Sequence, residues 1–426
     1  EQAADGSWTV SGQKIFITSG HGKYHFVIAR TEKTTGDDPL AGLAGLSMFL
    51  VKRVAGLDRI EEKLGHHGSV TAALTFDRAP ADLVGKRGEG FRYMLTLMNN
   101  ARLGVGFESI GLCEAALRMA RAYAAGRPSM GKTIDRHEMI ADYLEEMETD
   151  VAGLRALAMH GAWHEELAQK GVLLGRYAGP GEPELHGVDV DRETRAHKAA
   201  ARRVTPLLKY LAAEKAVEMA RRCVQLHGGN GYMREFGAEK LLRDAMVMPI
   251  YEGTSQIQAL MAMKDTLGGI IKSPQEFARR VAQARWRGMS PRDTLERRVA
   301  RLQQLSLAAQ QHLIARTATD KLRALSGVPV TTWPQAFLRN WNPKRDFAYA
   351  MLHAERLTRL LADEAIAEIL LHQARRHEQR RELLERHLDR AEPRARHLHE
   401  LITSTGQRVL DRLADQAADR ATEAAG

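Results

Sequence analysis

The segment PIYEGTSQIQ, Pro249–Gln258, places one carboxylate, Glu252, between Tyr251 and Gly253 at a break between two helical stretches. Residues 205–247 upstream read mostly as helix, and downstream Ile257, Leu260, Met261 and Leu267 recur at helical spacing. Pro249 and Gly253 punctuate the break, and Thr254 or Ser255 is the N-cap expected for the second helix. A capping-box glutamate would lie three residues inside that helix, whereas Glu252 precedes it. In isolation such a carboxylate is a solvated turn residue; the chemistry open to it is proton transfer. His137-Glu138 begins like a zinc-protease helix motif, but Ala141 stands where the second histidine is required. No Cys/His cluster has zinc-ligand spacing, so no metal site is expected. The two cysteines, Cys113 and Cys223, sit in apolar helical contexts as small core residues. That usage suits a reducing compartment, and a cytoplasmic location is expected.

The elements that position Glu252 follow from composition and periodicity. The 426 residues suffice for two or three domains with a large core, and a hydrophobic content of 44% is ordinary for a globular chain. No apolar run reaches the length of a transmembrane helix. The chain opens with Glu1 and DGSWTVSG rather than with a leader pattern, and is expected to begin inside a longer protein. Residues 8–10, 14–18, 25–30, 46–51 and 72–76 read as strands separated by Gly, Asp and Pro turns. From Gly90 the pattern becomes helical, over 91–124, 135–167 and a third helix ending at the glycines of HGGNG, with a Gly/Pro-rich loop at 175–190. Amphipathic stretches at 293–325, 345–371 and 394–413 follow, and the charge-dense 374–396 reads as a solvated helix face. The expected fold is α+β: a small antiparallel β domain over 1–88, a helical bundle over 89–268, and an all-helical extension over 269–426.

The charge is uneven. Residues 1–269 hold 34 Lys+Arg against 34 Asp+Glu, and residues 270–426 hold 28 against 19, so the whole net charge of +9 lies in the last third. Acids are interleaved with the bases there, without a contiguous basic block. This favours ion-paired helix faces over nucleic-acid binding, for which net charge supplies only the non-specific term.

Five segments in order resemble the acyl-CoA dehydrogenase family: KIFITSG (14–20), NNARLGVG (99–106), YAAGRPSMGK (123–132), VQLHGGNGY (224–232) and LLRDAMVMPIYEGTSQIQ (241–258). Together they cover residues 1–267. The resemblance implies FAD-dependent α,β-dehydrogenation of an acyl-CoA thioester to the trans-2-enoyl-CoA, with Glu252 as the base that removes the α-proton. A base for so weak an acid must lie within hydrogen-bond reach and away from water. Burial would raise its pKa, and the helix N-terminus behind it would lower it. The resemblance also implies that the Glu252 N–H donates to the thioester carbonyl.

For FAD it implies Phe16, Ile17 and Thr18 beside the flavin ring, and Thr254 and Gln256 beside the base. Arg127, Ser129 and His137 would reach the cofactor of a neighbouring subunit, where a guanidinium suits a pyrophosphate. Gln225, Gly228 and Gly229 would lie along the adenosine side, where glycine permits close approach. Asn99, Arg102, Tyr251 and Gly253 would contact the acyl-CoA. Phe16 stands where Trp is frequent, Met130 where Phe is usual and Glu138 where Gln is common. The family's N-terminal helical domain has no counterpart in this sequence. The C-terminal extension resembles that of larger members, which include long-chain types, membrane-associated types and bacterial members acting on short thioether acyl chains. The MNNARLGVG wording and the extension point to the bacterial large-subunit subgroup, with acyl chain length left open. The implied partners are an acyl-CoA, a second copy in a homodimer or homotetramer, and an electron-transfer flavoprotein. The alternative is a catalytically idle or moonlighting flavoprotein relative whose basic C-terminal module binds DNA or a protein partner.

Overall fold

The computed structural model describes residues 1–32, 43, 45–52, 56–177, 189–289, 293–324 and 346–425. The N-terminal part is an antiparallel sheet of β1 (Trp8–Thr18), β2 (His25–Arg30), β3 (Leu46–Val51), β4 (Gly56–Ile60) and β5 (Thr71–Val84), in the order β1-β5-β3-β2 with β4 also on β5. The expected strands at 8–10 and 14–18 are one strand, bent by register shifts between Val10 and Gly12 and between Lys14 and Ile17. β4 escapes the sequence pattern because it is a short edge strand whose residues are mostly exposed. Val10, Val27, Phe49, Val51, Leu74 and Phe76 close the sheet's own core.

Long helices follow: α1 (Gly90–Gly126), α2 (Glu138–Tyr177) and α3 (Val190–His227), with a two-residue hairpin of β6 (Pro128–Ser129) and β7 (Lys132–Thr133) after α1. The Gly/Pro-rich loop expected at 175–190 lies largely outside the described residues. Alanines at every fourth position, Ala116, Ala120 and Ala124 on α1 and Ala212, Ala216 and Ala220 on α3, are all fully buried. Small side chains at that spacing form one helix face and let two backbones approach closely. After α3 come α4 (Ala238–Ala245), the 249–254 turn, and α5 (Ser255–Lys272). The extension comprises α6 (Pro274–Met289), α7 (Thr294–Ala324), α8 (Ala348–Leu352), α9 (Ala354–Ala374), α10 (Arg381–Ser404) and α11 (Gln407–Ala425).

The boundary expected at residue 268 falls inside α5, and one hydrophobic core runs without interruption from Val105 to Ile402. Two sequence expectations need correction. The stretch 345–371 is broken at His353, and 394–413 is broken at Thr405-Gly406. The charge-dense 374–396 is not simply solvated. Leu383, Leu384, His387, Leu388, Ala391 and Ala395 form a buried face of α10, an apolar stripe hidden by the charges on its flanks. Among the described residues no helix is long and apolar enough to cross a membrane.

The sheet is tied to the helices at two points. The Ser47 hydroxyl accepts from Gly88 N at 2.8 Å at the head of α1. The loop after β4 docks on α4: His66 N donates to Asp244 Oδ1 at 2.7 Å, and Arg243 Nη1 to Leu64 O at 3.2 Å. Gly65 lies so close that a Cβ there would run into the Arg243 carbonyl. At the other end of the molecule, Asp363 of α9 is buried and takes a two-pronged bond from Arg394 of α10, at 2.7 and 2.9 Å. The arginines beside it hold its carboxyl far below the ordinary range against the opposing effect of burial. Its contribution is fully present above the unfolded carboxylate pKa and is lost as pH falls through the folded value. Replacing Asp363 by Ala leaves Arg394 without its carboxylate and should cost about 3–5 kcal/mol at neutral pH, read from denaturant unfolding followed by helix content.

Candidate active site

The Glu252 turn is held from below. Met248 is fully buried, and its carbonyl accepts from Lys209 Nζ of α3 at 2.8 Å. Arg102 of α1, 4% exposed, directs Nε to the Glu252 carbonyl at 3.4 Å and Nη1 to Asn99 Oδ1 at 3.2 Å. Gln258, fully buried on α5, donates to the Gly253 carbonyl at 3.3 Å, while its Oε1 has no hydrogen-bond partner among the described residues. Ser255 N bonds the Pro249 carbonyl at 2.9 Å, and Ser255 Oγ donates to Glu214 at 2.5 Å. Of the two N-cap candidates Thr254 takes the role, its hydroxyl accepting from Ile257 N at 3.3 Å.

The resulting backbone is unusual. Glu252 has φ +53° and Gly253 φ +90°. A left-handed glutamate followed by glycine lifts the carboxylate out of the line of the chain. A Cβ on Gly253 would meet Gln258 Nε2 at 2.8 Å, so both its backbone angle and the space around it call for glycine. The Glu252 side chain is exposed on this chain, and among the described residues its carboxylate forms no hydrogen bond or ion pair. Its N–H has no main-chain acceptor among them. Tyr251 donates its hydroxyl to Glu108 of α1, and its ring lies 6.5 Å from that of His66. Burial, followed by Glu108, pushes the tyrosine upward. Burial lowers Arg102, with the charge of Glu252 opposing it.

Asn99, Arg102, Tyr251, Glu252 and Gly253 are therefore together. Gln256 turns the other way, its amide donating to Glu355 of α9 at 2.7 Å. Phe16 and Thr18 are exposed on β1, Ile17 is half-buried between them, and Phe16 itself has φ +58° at the bulge. No hydrogen bond joins them to the 249–254 turn among the described residues. Arg127 and Ser129 are exposed at the β6–β7 hairpin, where His137 Nε2 lies 3.0 Å from the Ser129 carbonyl and so braces the hairpin. Glu138 pairs with Lys132 at 3.5 Å, directing its charge away from Arg127. Gln225, Gly228 and Gly229 are exposed at the end of α3. Nearby, the rings of Tyr123 and His227 stack at 4.2 Å, and Asn230 donates to the Tyr123 hydroxyl at 3.0 Å. At about 1.5 Å per residue, Arg102 and Arg127 stand roughly 37 Å apart along α1. The hairpin and the glycines thus share one end of the bundle, remote from Glu252.

Sequence reasoning missed Glu108, Lys209, Glu214 and Gln258. Lys209 had a visible signal: it is a lone cation in the apolar run Leu207–Leu211. Three half-buried carboxylates elsewhere differ from the site in kind. Glu146, Asp150 and Glu218 cluster closely, but Lys215 pairs with Asp150 and Glu218 at 2.7 and 2.9 Å, and Arg222 pairs with Glu146, so salt bridges occupy the cluster.

A family profile described as acyl-CoA dehydrogenase, C-terminal domain, matches residues 88–175 and 190–267. The 3-methylmercaptopropionyl-CoA dehydrogenase of Ruegeria pomeroyi is 32% identical over 359 residues, which is 76% of this chain and 56% of that protein. An acyl-CoA dehydrogenase of Bacillus subtilis is 34% identical over 271 residues, 62% of each chain. A solved acyl-CoA dehydrogenase of Bacillus anthracis, complexed with FAD, is similar in fold with a TM-score of 0.70 at 18% identity, covering 97% of this chain and 67% of that one. This chain belongs to the acyl-CoA dehydrogenase family. It spans 56% and 62% of the lengths of the two curated relatives.

Lys209 gives the site a pH signature. Burial pushes it down to about 8 from 10.5. Between those values the unfolded chain binds more protons at this position than the folded chain, so stability rises with pH across the window. Lys209→Met should flatten that rise, as measured by urea unfolding at a series of pH values from neutral to pH 10.

Proposed function

We propose that this chain carries the catalytic base and the cofactor-binding surfaces of an FAD-dependent acyl-CoA dehydrogenase, forming the trans-2-enoyl-CoA. The observation that carries the reading is the Glu252 turn: a non-glycine residue at φ +53°, clamped through its carbonyl by a buried arginine, with its carboxylate free of partners among the described residues. Backbone strain of this kind persists where the surroundings impose it and marks candidate functional positions. In this reading Glu252 accepts the α-proton of the thioester, and its unpaired N–H donates to the thioester carbonyl as negative charge develops there. Arg102 holds the Glu252–Gly253 peptide through its carbonyl and so restrains the residue whose N–H faces the thioester. Asn99 orients Arg102, and Tyr251, tied to Glu108, walls the site from the helix side.

The residues fit FAD on two counts. Phe16 presents an exposed aromatic face at a bulge, next in sequence to Ile17 and Thr18. Arg127 makes no ion pair or hydrogen bond through its guanidinium among the described residues and adjoins the Ser129 hydroxyl. FAD supplies the hydride acceptor for the β-carbon. Phe16, Ile17, Thr18, Thr254 and Gln256 would hold its ring system, the last after releasing Glu355. Gln225, Gly228, Gly229, Arg127, Ser129 and His137 would hold the distal half of a cofactor. The separation of about 37 Å along α1 keeps the Glu252 and Arg127 ends of one chain apart. In this reading a homodimer or homotetramer brings both kinds of end to each cofactor. An electron-transfer flavoprotein is the proposed acceptor.

The test is anaerobic titration of the purified flavoprotein with acyl-CoAs of rising chain length and with 3-methylmercaptopropionyl-CoA, following flavin absorbance. Bleaching by one class of acyl-CoA is expected. Glu252→Gln should slow it at least about 100-fold with flavin content unchanged. Bound flavin that no acyl-CoA reduces would overturn the reading. Arg127→Glu should weaken flavin retention about 10-fold while leaving helix content intact, measured by flavin-to-protein ratio after gel filtration.

A further inference from the structure

A cavity of about 500 Å³ opens between α6, α7 and α10 of the extension. Arg285 of α6, Arg301 of α7, and Arg396 and His399 of α10 line it, and no described residue in its wall is acidic. Its floor is apolar, with Val281, Leu305 and Ala308 contributing. The spacing explains the convergence. Val281 and Arg285 are four apart, Arg301, Leu305 and Ala308 lie on one stripe, and Arg396 and His399 are three apart.

The neighbouring arginines are spent on carboxylates. Arg287 meets Glu296 at 3.2 Å, Arg298 meets Asp389 and Glu392 at 2.8 and 3.0 Å, Arg390 meets Asp142 at 2.8 Å, and Arg394 meets Asp363 at 2.7 Å. Arg285, Arg301 and Arg396 form no ion pair and donate no side-chain hydrogen bond among the described residues. Three like charges around one hollow repel one another, and among the described residues no carboxylate pairs with any of them.

We propose that this cavity is a binding site for a small molecule that carries two or more phosphate groups and is about the size of a nucleotide. Guanidinium groups present forked donors that match phosphate oxygens. One carboxylate would offset only one of three charges, whereas a diphosphate meets them together. The apolar floor accepts the uncharged remainder of the ligand, and the volume is that of ordinary small-molecule sites. The site lies in the extension and shares no residue with the Glu252 turn, so a ligand here is not the substrate of that turn.

The test is calorimetric titration of the 426-residue chain with sodium pyrophosphate and with ADP, ionic strength being held constant with sodium chloride. Saturable binding of one ligand per chain is expected. The double variant Arg301→Glu/Arg396→Glu should weaken it about 10-fold or more, and the neutral Arg301→Gln/Arg396→Gln should weaken it in the same direction. The double variant Arg376→Glu/Arg380→Glu, the same charge change on two exposed arginines outside the cavity wall, should leave affinity unchanged. Non-saturable heats, or equal losses in the Arg376/Arg380 variant, would overturn the proposal in favour of diffuse charge. Binding only to duplex DNA, or only to vesicles containing phosphatidic acid, would overturn it in favour of a surface for a polymer or a membrane. Because the readout is binding to the extension, its failure leaves the acyl-CoA dehydrogenase reading untouched.

Discussion

Two buried cations, Arg102 of α1 and Lys209 of α3, fix the turn on which the site is built. They hold the carbonyls of Glu252 and Met248, at 3.4 and 2.8 Å, on the same short segment. A chain leaving α4 and entering α5 exposes carbonyls that no helix satisfies. Placing those carbonyls in the interior leaves them unpaired unless a donor is supplied, and an unpaired buried acceptor is costly. Arginine and lysine from two different helices meet that need. Burial raises the cost of both charges, and Lys209 shows it by its displacement toward neutrality. The arrangement therefore couples the packing of α1 against α3 to the conformation of one turn.

That coupling extends into the C-terminal helices. α5 hangs from the Glu252 turn through the Thr254 cap, and its far side is gripped by α9, where Gln256 bonds Glu355 and the Thr358 hydroxyl approaches the Ala259 carbonyl at 3.4 Å. α9 is in turn fixed to α10 through Asp363 and Arg394. The extension thus acts as a buttress behind the helix that follows the candidate base. The continuous core from Val105 to Ile402 expresses the same fact in apolar area. Gln256 stands at the junction, its amide donating to Glu355.

The order of the elements was legible in the sequence from local signals: strand alternation, helical spacing, and Pro and Gly at a break. The grouping of Asn99, Arg102, Tyr251, Glu252 and Gly253, by contrast, joins positions 150 residues apart and was expected only from the resemblance carried by five ordered motifs. The buried face of α10 was illegible for a physical reason. Long Arg and Glu side chains flank an apolar stripe and dominate the composition, while the stripe itself consists of Leu, Ala and one His at helical spacing. Lys209, Glu108 and Gln258 were missed because their roles are set by what lies opposite them in space, from 39 to 143 residues away along the chain in the cases of Lys209 and Glu108. The edge strand β4 was missed because it is mostly exposed and gives only a weak alternation.

Backbone strain is found at six described non-glycine residues, Phe16, Ser19, His66, Arg78, Met130 and Glu252, and three of these bear on the proposed reading. Phe16, Met130 and Glu252 are all non-glycine residues with φ between +48° and +58°. Each lies in a different segment, at the β1 bulge, the β6–β7 hairpin and the head of α5, and each carries an exposed side chain. A left-handed conformation disfavours such residues by about 1–2 kcal/mol apiece relative to the right-handed one. Glycine at these positions would relieve the strain at no cost in buried area, because the side chains contribute little to the core of this chain. Stability alone therefore gives no reason for phenylalanine, methionine and glutamate there. An aromatic face, a flexible apolar contact and a carboxylate are what those positions offer, and each is presented outward, where a cofactor, a second subunit or a substrate would meet it.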